Sequence, residues 1–132
     1  MTRAPIRFAD PRAATLAVLR ALRPDVRFGT LRLEDFPEGD VPALPYGLVA
    51  SDGLFVRLRA TATASVRVAV WAEEDAAGYD LADELHATLL AYEGGPNLFG
   101  FLAQTGPLPT DDPDTGRPMT YFTVRARLRP RE

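Results

Sequence analysis

The chain has 132 residues and a formal net charge of −3, with 46% hydrophobic and 25% charged residues. That length suits one domain burying roughly two thirds of its unfolded surface, in the composition range of ordinary globular proteins. The acidic balance argues against nucleic-acid binding as the main source of affinity. No apolar run approaches membrane-spanning length, and the absence of cysteine excludes disulfides and thiolate metal sites.

All 15 basic residues are arginine, and Ile6 and Asn97 are the only residues of their kinds. A GC-rich genome accounts for this bias, because Lys, Ile and Asn have AT-rich codons; selection for bidentate arginine pairing at interfaces is the alternative, but it does not account for the scarcity of Ile and Asn. Met1 to Phe8 lacks the apolar core of a secretion signal.

Asp10-Pro11 opens a helix. The Asp10 carboxylate can accept from the free N–H groups of the first turn, and Pro11 suits the first helical position. The helix runs to Arg23, before Pro24, with Thr15, Val18, Leu19 and Leu22 as its apolar stripe. Val26 to Leu33 reads as a short strand with a bulge at Gly29-Thr30, where the apolar parity slips. Glu34 to Pro45 is a proline-rich loop punctuated by Phe36, Val41 and Leu44.

Tyr46 to Ser51 and Leu54 to Ala60 read as a hairpin, with Asp52-Gly53 supplying the positive φ angles of a tight turn. Thr61 to Ala64 leads into a third strand, Ser65 to Ala72. Three acids follow at Glu73-Glu74-Asp75. They suit the positive end of a helix dipole, and Ala76 to Tyr92 has helical spacing, stopped by Gly94-Gly95-Pro96. Leu98 to Gln104 predicts a strand, Gly106 to Pro118 a polar loop, and Met119 to Arg129 a final strand. Residues 1–132 therefore make a single α+β domain. The expected sheet is mixed or mainly antiparallel, of about four to five strands, with two main helices packed on one face.

Alternation along the strands assigns side chains to two faces. Val66, Val68 and Val70 share a side, as do Phe122, Val124, Ala126 and Leu128. The other side presents Phe55, Arg57, Arg59, Arg67, Trp71, Tyr121, Arg125, Arg127 and Arg129. Such a face is solvated, as antiparallel sheets commonly are, or a protein contact surface, since arginine and aromatic residues are enriched there; nucleic-acid binding is a third reading, against which the overall acidity weighs. On the second helix, Leu81, Leu85, Leu89 and Tyr92 form the sheet-facing stripe. Tyr79, His86 and Leu90 cluster with Asp83 on the far side, to pack on the first helix or on a neighbouring subunit.

The residues of reaction chemistry are sparse. His86 is the only histidine, and neither Ser51 nor Ser65 stands in a nucleophile-elbow pattern. Gly94-Gly95 follows a helix, the wrong end for cradling phosphate. The acids Asp111, Asp112 and Asp114 do not match calcium-loop spacing. No cofactor, metal site or catalytic residue is expected. Glu73, Glu74 and Asp75 are explained by the helix start.

The layout resembles the tail-terminator (tail-completion) proteins of long-tailed bacteriophages and related minor tail proteins. The residues that carry the resemblance are the helix at Asp10-Pro11, Leu44-Pro45-Tyr46-Gly47-Leu48-Val49, Val66 to Ala72, the helix with its Leu-Ala-Asp-Glu-Leu core, Gly106-Pro107 and the closing strand Tyr121 to Arg129. The proline-rich stretch 34–45 has no clear counterpart. The resemblance implies a virion structural protein at the head–tail junction, assembled in the host cytoplasm. Its subunits form a ring, usually a hexamer, that caps the tail tube, stops addition of the major tail tube protein and docks the head-side connector. DNA passes through the ring without sequence-specific binding, and Asp111, Asp112 and Asp114 are candidates for a loop that repels it at the lumen. No membrane is involved. A head-completion or stopper neck protein, a small acid/base enzyme and a host ligand-binding module are the alternatives.

Overall fold

The structure, a computed structural model, describes residues 4–57 and 61–131. The Asp10 carboxylate accepts from the Arg12 N–H at 2.9 Å, and Pro11 begins helix α1, Pro11–Leu22. Thr15 is fully buried within it and donates its hydroxyl to the Pro11 carbonyl at 2.7 Å, so its burial leaves no unmet donor. Ala14, Leu16, Val18 and Leu19 are buried beside it. Leu22 is 48% exposed, because the helix ends there and Val26 carries the core onward.

The strands are β1 (Arg27–Gly29), β2 (Tyr46–Ser51), β3 (Phe55–Arg57), β4 (Thr61–Trp71), β5 (Leu98–Asp111) and β6 (Pro118–Leu128), with helix α2 (Asp75–Ala91) between β4 and β5. They form one six-stranded sheet in the order β1-β2-β4-β6-β5, with β3 also pairing with β4. β1 runs parallel to β2 and every other pairing is antiparallel. The α+β class and the single helical layer agree with the sequence; the sheet has more strands than the expected four to five. No described helix is long and apolar enough to cross a membrane.

β4 and β6 pair from Ala62↔Leu128 to Trp71↔Met119 and form the middle of the sheet. Val66, Val68, Val70, Phe122, Val124 and Leu128 on their inner face are fully buried. They meet Leu19 of α1 and Leu81, Leu85 and Leu89 of α2 in one core cluster. Tyr92, the last residue of the expected stripe, packs half-buried at its margin.

Three local expectations change. β2 and β3 do not form a hairpin, and Gly53 lacks the left-handed conformation that turn requires. Both strands instead lie along β4, the first at Ser51↔Val66 and the second at Phe55↔Thr63. Residues 52–54 therefore oppose only 64–65, which is a bulge with one extra residue. The Asp52 N–H still donates to the Ser65 carbonyl at 3.0 Å. β4 is long enough to hold both partners, and this overrides the turn preference of Asp-Gly.

Secondly, the expected loop from Gly106 is strand as far as Asp111, since β5 follows β6 through three register shifts. Only 112–117 turn, with Gly116 at φ 71°. Thirdly, the strand expected over Val26 to Leu33 is paired only at Arg27–Gly29. Leu33–Asp35 is a 3₁₀ turn that plants Leu33 on the other side of the sheet.

Leu85→Ala should cost about 3 kcal/mol of unfolding free energy. Leu22→Ala, also on the sequence-defined stripes but exposed, should change stability by no more than about 0.5 kcal/mol. Urea titration of both variants checks the contrast.

Candidate functional site

Residues opposite one another in neighbouring strands share a face, so the outer face can be followed in rows. One end of it is covered. Tyr46, Trp71 and Met119 form a row there and are buried together with Leu33, while Phe36 and Leu44 pack on them. Tyr46 stacks on Trp71 at 6.2 Å, and Phe36 meets Tyr46 edge-on at 5.6 Å. The Tyr46 hydroxyl donates to the Leu31 carbonyl at 2.6 Å, and burial pushes its phenol above the ordinary pKa. The proline-rich stretch is therefore a cover for half of the outer sheet.

This corrects the placement of Trp71 on an exposed contact face. The residue is 3% exposed. Its indole N–H donates to Asp112 Oδ2 at 3.1 Å. Asp112 also accepts from the Asp114 N–H and the Thr115 hydroxyl, each at 2.9 Å. Burial works to raise the Asp112 pKa, but these hydrogen bonds outweigh it and hold the carboxyl below the usual carboxylate range.

Asp114 is bridged by Arg32 at 2.9 Å, and the same guanidinium reaches Asp35 at 3.0 Å and Glu34 at 3.0 Å. The acidic loop is thus a clasp that ties the cover to the β5–β6 turn. Asp112 and Asp114 are engaged in it. Asp111, at the end of β5, remains exposed.

The other half of the outer face is open. Arg67 lies 4.2 Å over the Tyr121 ring, and Arg129 lies 4.2 Å over Phe99, with Arg127 also above that ring at 5.6 Å. Phe55, Arg57, Arg125 and Arg127 line an open groove of about 640 Å³ running past Thr63 and Leu102. Among the described residues Asp52 is the one carboxylate on its wall. Arg57, Arg67, Arg125 and Arg127 are exposed, and none forms an ion pair with a described residue. Arg59 lies outside the described residues. β3 is exposed throughout: Phe55 is 66% and Val56 52% accessible.

The helix patch is divided. Tyr79 and Leu90 are exposed on α2 beside Asp83. His86, on the same stripe, is half-buried. The buried arc of α2 is widened by Gly78 and Ala82, which brings the imidazole edge-on against Phe122 of β6 at 5.1 Å. Its Nε2 is buried without a hydrogen-bond partner among the described residues. The imidazole thus packs within its own chain, with part of its surface still accessible.

Sequence reasoning missed the Trp71–Asp112 bond and the Arg32 bridges, since each joins segments distant in sequence. Arg23 is another such joint: from the end of α1 it pairs with Asp25 at 2.9 Å and reaches Glu84 on α2 at 3.1 Å. The one local signal was Asp112-Pro113-Asp114-Thr115, where a side chain can bond to the backbone two residues on. Among the described residues no cluster of His, Asp or Glu could hold a metal ion. The sequence matches no protein-family model and no curated protein.

Asp112→Asn should lower stability by about 1–3 kcal/mol at pH 7, because charge-assisted bonds are weakened in a buried site. A depressed folded pKa means the wild-type advantage is full above the ordinary aspartate pKa of about 3.9 and is lost as pH falls through the folded value. Denaturation of both proteins from pH 7 to pH 2 should show the difference shrinking only at the acid end. His86→Leu should stabilise the fold by roughly 1 kcal/mol by removing an unpaired buried nitrogen, read from thermal unfolding.

Proposed function

We propose that this chain is a structural subunit of the head–tail junction of a long-tailed bacteriophage, a tail terminator that assembles as a ring on the end of the tail tube. The observation that carries the reading is the open half of the outer sheet, where exposed Phe55 stands beside arginines that have no ion-pair partner among the described residues. Apolar and arginine side chains left together on a surface suit a protein contact. The covered half of the same face adds support, because the proline-rich segment and its clasp leave the open half sharply bounded. The segments on which the resemblance to tail terminators rests, helix, strands, helix and closing strand, follow one another in that order in this fold.

In this role the two-layer domain supplies rigidity, and the exposed faces supply contacts to further copies, to the tube protein and to the head-side connector. A ring requires heterologous contacts whose rotation closes. The turn 112–117, fixed by Trp71 and Arg32, would keep a constant shape wherever it lies in such a ring. A stopper of the head side differs by partner, binding the connector and leaving tube ends untouched.

Tube protein polymerised in the presence of the chain gives the test. Electron microscopy should find short tubes with extra density at one end, against long uncapped tubes in its absence. Tubes of unchanged length with bare ends would contradict the reading.

A further inference from the structure

Two surfaces of the domain differ in charge. Its open sheet face presents Arg57, Arg67, Arg125 and Arg127. The exposed side of α2, in the layer on the other side of the sheet, presents Asp75, Asp80, Asp83 and Glu84, and the helix contains no arginine. Glu73 and Glu74 extend the acidic run ahead of it. Of the α2 acids only Glu84 forms an ion pair with a described residue, Arg23. Both surfaces also carry apolar groups: Phe55 beside the arginines, Tyr79 and Leu90 beside the aspartates. Ala76, Ala87 and Ala91 keep the exposed side of α2 low.

We infer that the open sheet face of one copy receives the α2 face of the next, arginines on aspartates, in a head-to-tail contact. The inference rests on the reading above that copies of this chain associate, and it specifies through which surfaces. The two surfaces are complementary in charge and lie on opposite sides of one rigid domain. A copy that uses one therefore still offers the other, so the contact repeats instead of ending at a dimer. Like faces repel, which disfavours the symmetric sheet-to-sheet and helix-to-helix pairs.

Edge-to-edge pairing is the competing geometry. The longest edge, β5, is poorly shaped for it. Pro107 and Pro109 remove backbone donors, and the register shifts on either side of Thr105 break its regularity. Proteins protect sheet edges in this way, and here it leaves the faces as the surfaces free to join.

Charge exchange tests the pairing. One variant carries Arg125→Glu with Arg127→Glu; the other carries Asp80→Arg with Asp83→Arg. All four positions are exposed, and circular dichroism establishes that each variant is folded. If a reversal unfolds the chain, Arg125→Gln with Arg127→Gln and Asp80→Asn with Asp83→Asn replace it as the weakening pair, without the rescue arm.

In sedimentation velocity at low salt, wild type should associate as concentration rises and dissociate in high salt. Each reversed variant should associate at least tenfold more weakly. An equimolar mixture of the two should regain association, since every sheet face then meets a helix face of opposite charge on the other variant. Undiminished association of either folded variant, or a mixture that stays apart, would overturn the inference. In that case capped tubes in the polymerisation experiment would leave the ring reading standing on other surfaces. Wild type that stays monomeric at every concentration and also fails to cap tubes would remove both.

Discussion

The pairing of β4 with β6 is the constraint on which the other features depend. Ten registered residue pairs, from Ala62↔Leu128 to Trp71↔Met119, hold two strands side by side without a shift. Because strand side chains alternate, this one register decides the fate of both faces at once. A slip of a single residue would turn Val66, Val68 and Val70 towards solvent and Arg67 into the core. The core under α1 and α2 therefore fixes the position of the arginines as firmly as it fixes the valines. The surface pattern follows from the same alternation that builds the interior.

Much of this was legible in the chain. Asp10-Pro11, the valine alternation of 66–70 and the leucine spacing of 81–89 each declare their element, because each is a local signal repeated several times. The Asp52-Gly53 turn misled for the opposite reason: two residues with a strong preference were outweighed by an eleven-residue strand able to pair with both flanking segments. The far end of β5 was hidden by Gly106, Pro107 and Pro109, residues that weaken a strand but can be accommodated at an edge. Trp71 failed as a surface residue because Asp112 and the 31–45 cover come from elsewhere in the chain, and the Phe122 on which half-buried His86 packs was likewise distant in sequence. Periodicity assigns a side of an element; it does not say what lies on that side.

The cover is also what separates a structural part of the outer sheet from an available one. Tyr46, Trp71 and Met119 make a second, smaller core on a face that would otherwise be wet. Asp112 can be buried there only because the indole, a backbone N–H and a hydroxyl surround its carboxylate. Beyond that boundary the arginines form no ion pair with a described residue, and Arg67 and Arg129 lie over aromatic rings, Tyr121 and Phe99. A guanidinium stacked on a ring retains its donors for an incoming carboxylate while its orientation is already restricted. Carboxylates on the exposed side of α2 are the matching half, which is why the two sides of the domain belong in one account.

The chain contains no cysteine, so a pair of introduced thiols reports contact without background. With Arg125→Cys and Asp83→Cys in the same chain, the two thiols stand on opposite sides of the domain and should not link within one copy. Under mild oxidation the account predicts a ladder of dimers, trimers and larger species on a non-reducing gel, far exceeding the products of either single substitution. Folded doubly substituted protein that stays a single band, or a ladder no stronger than the singles give, would contradict it.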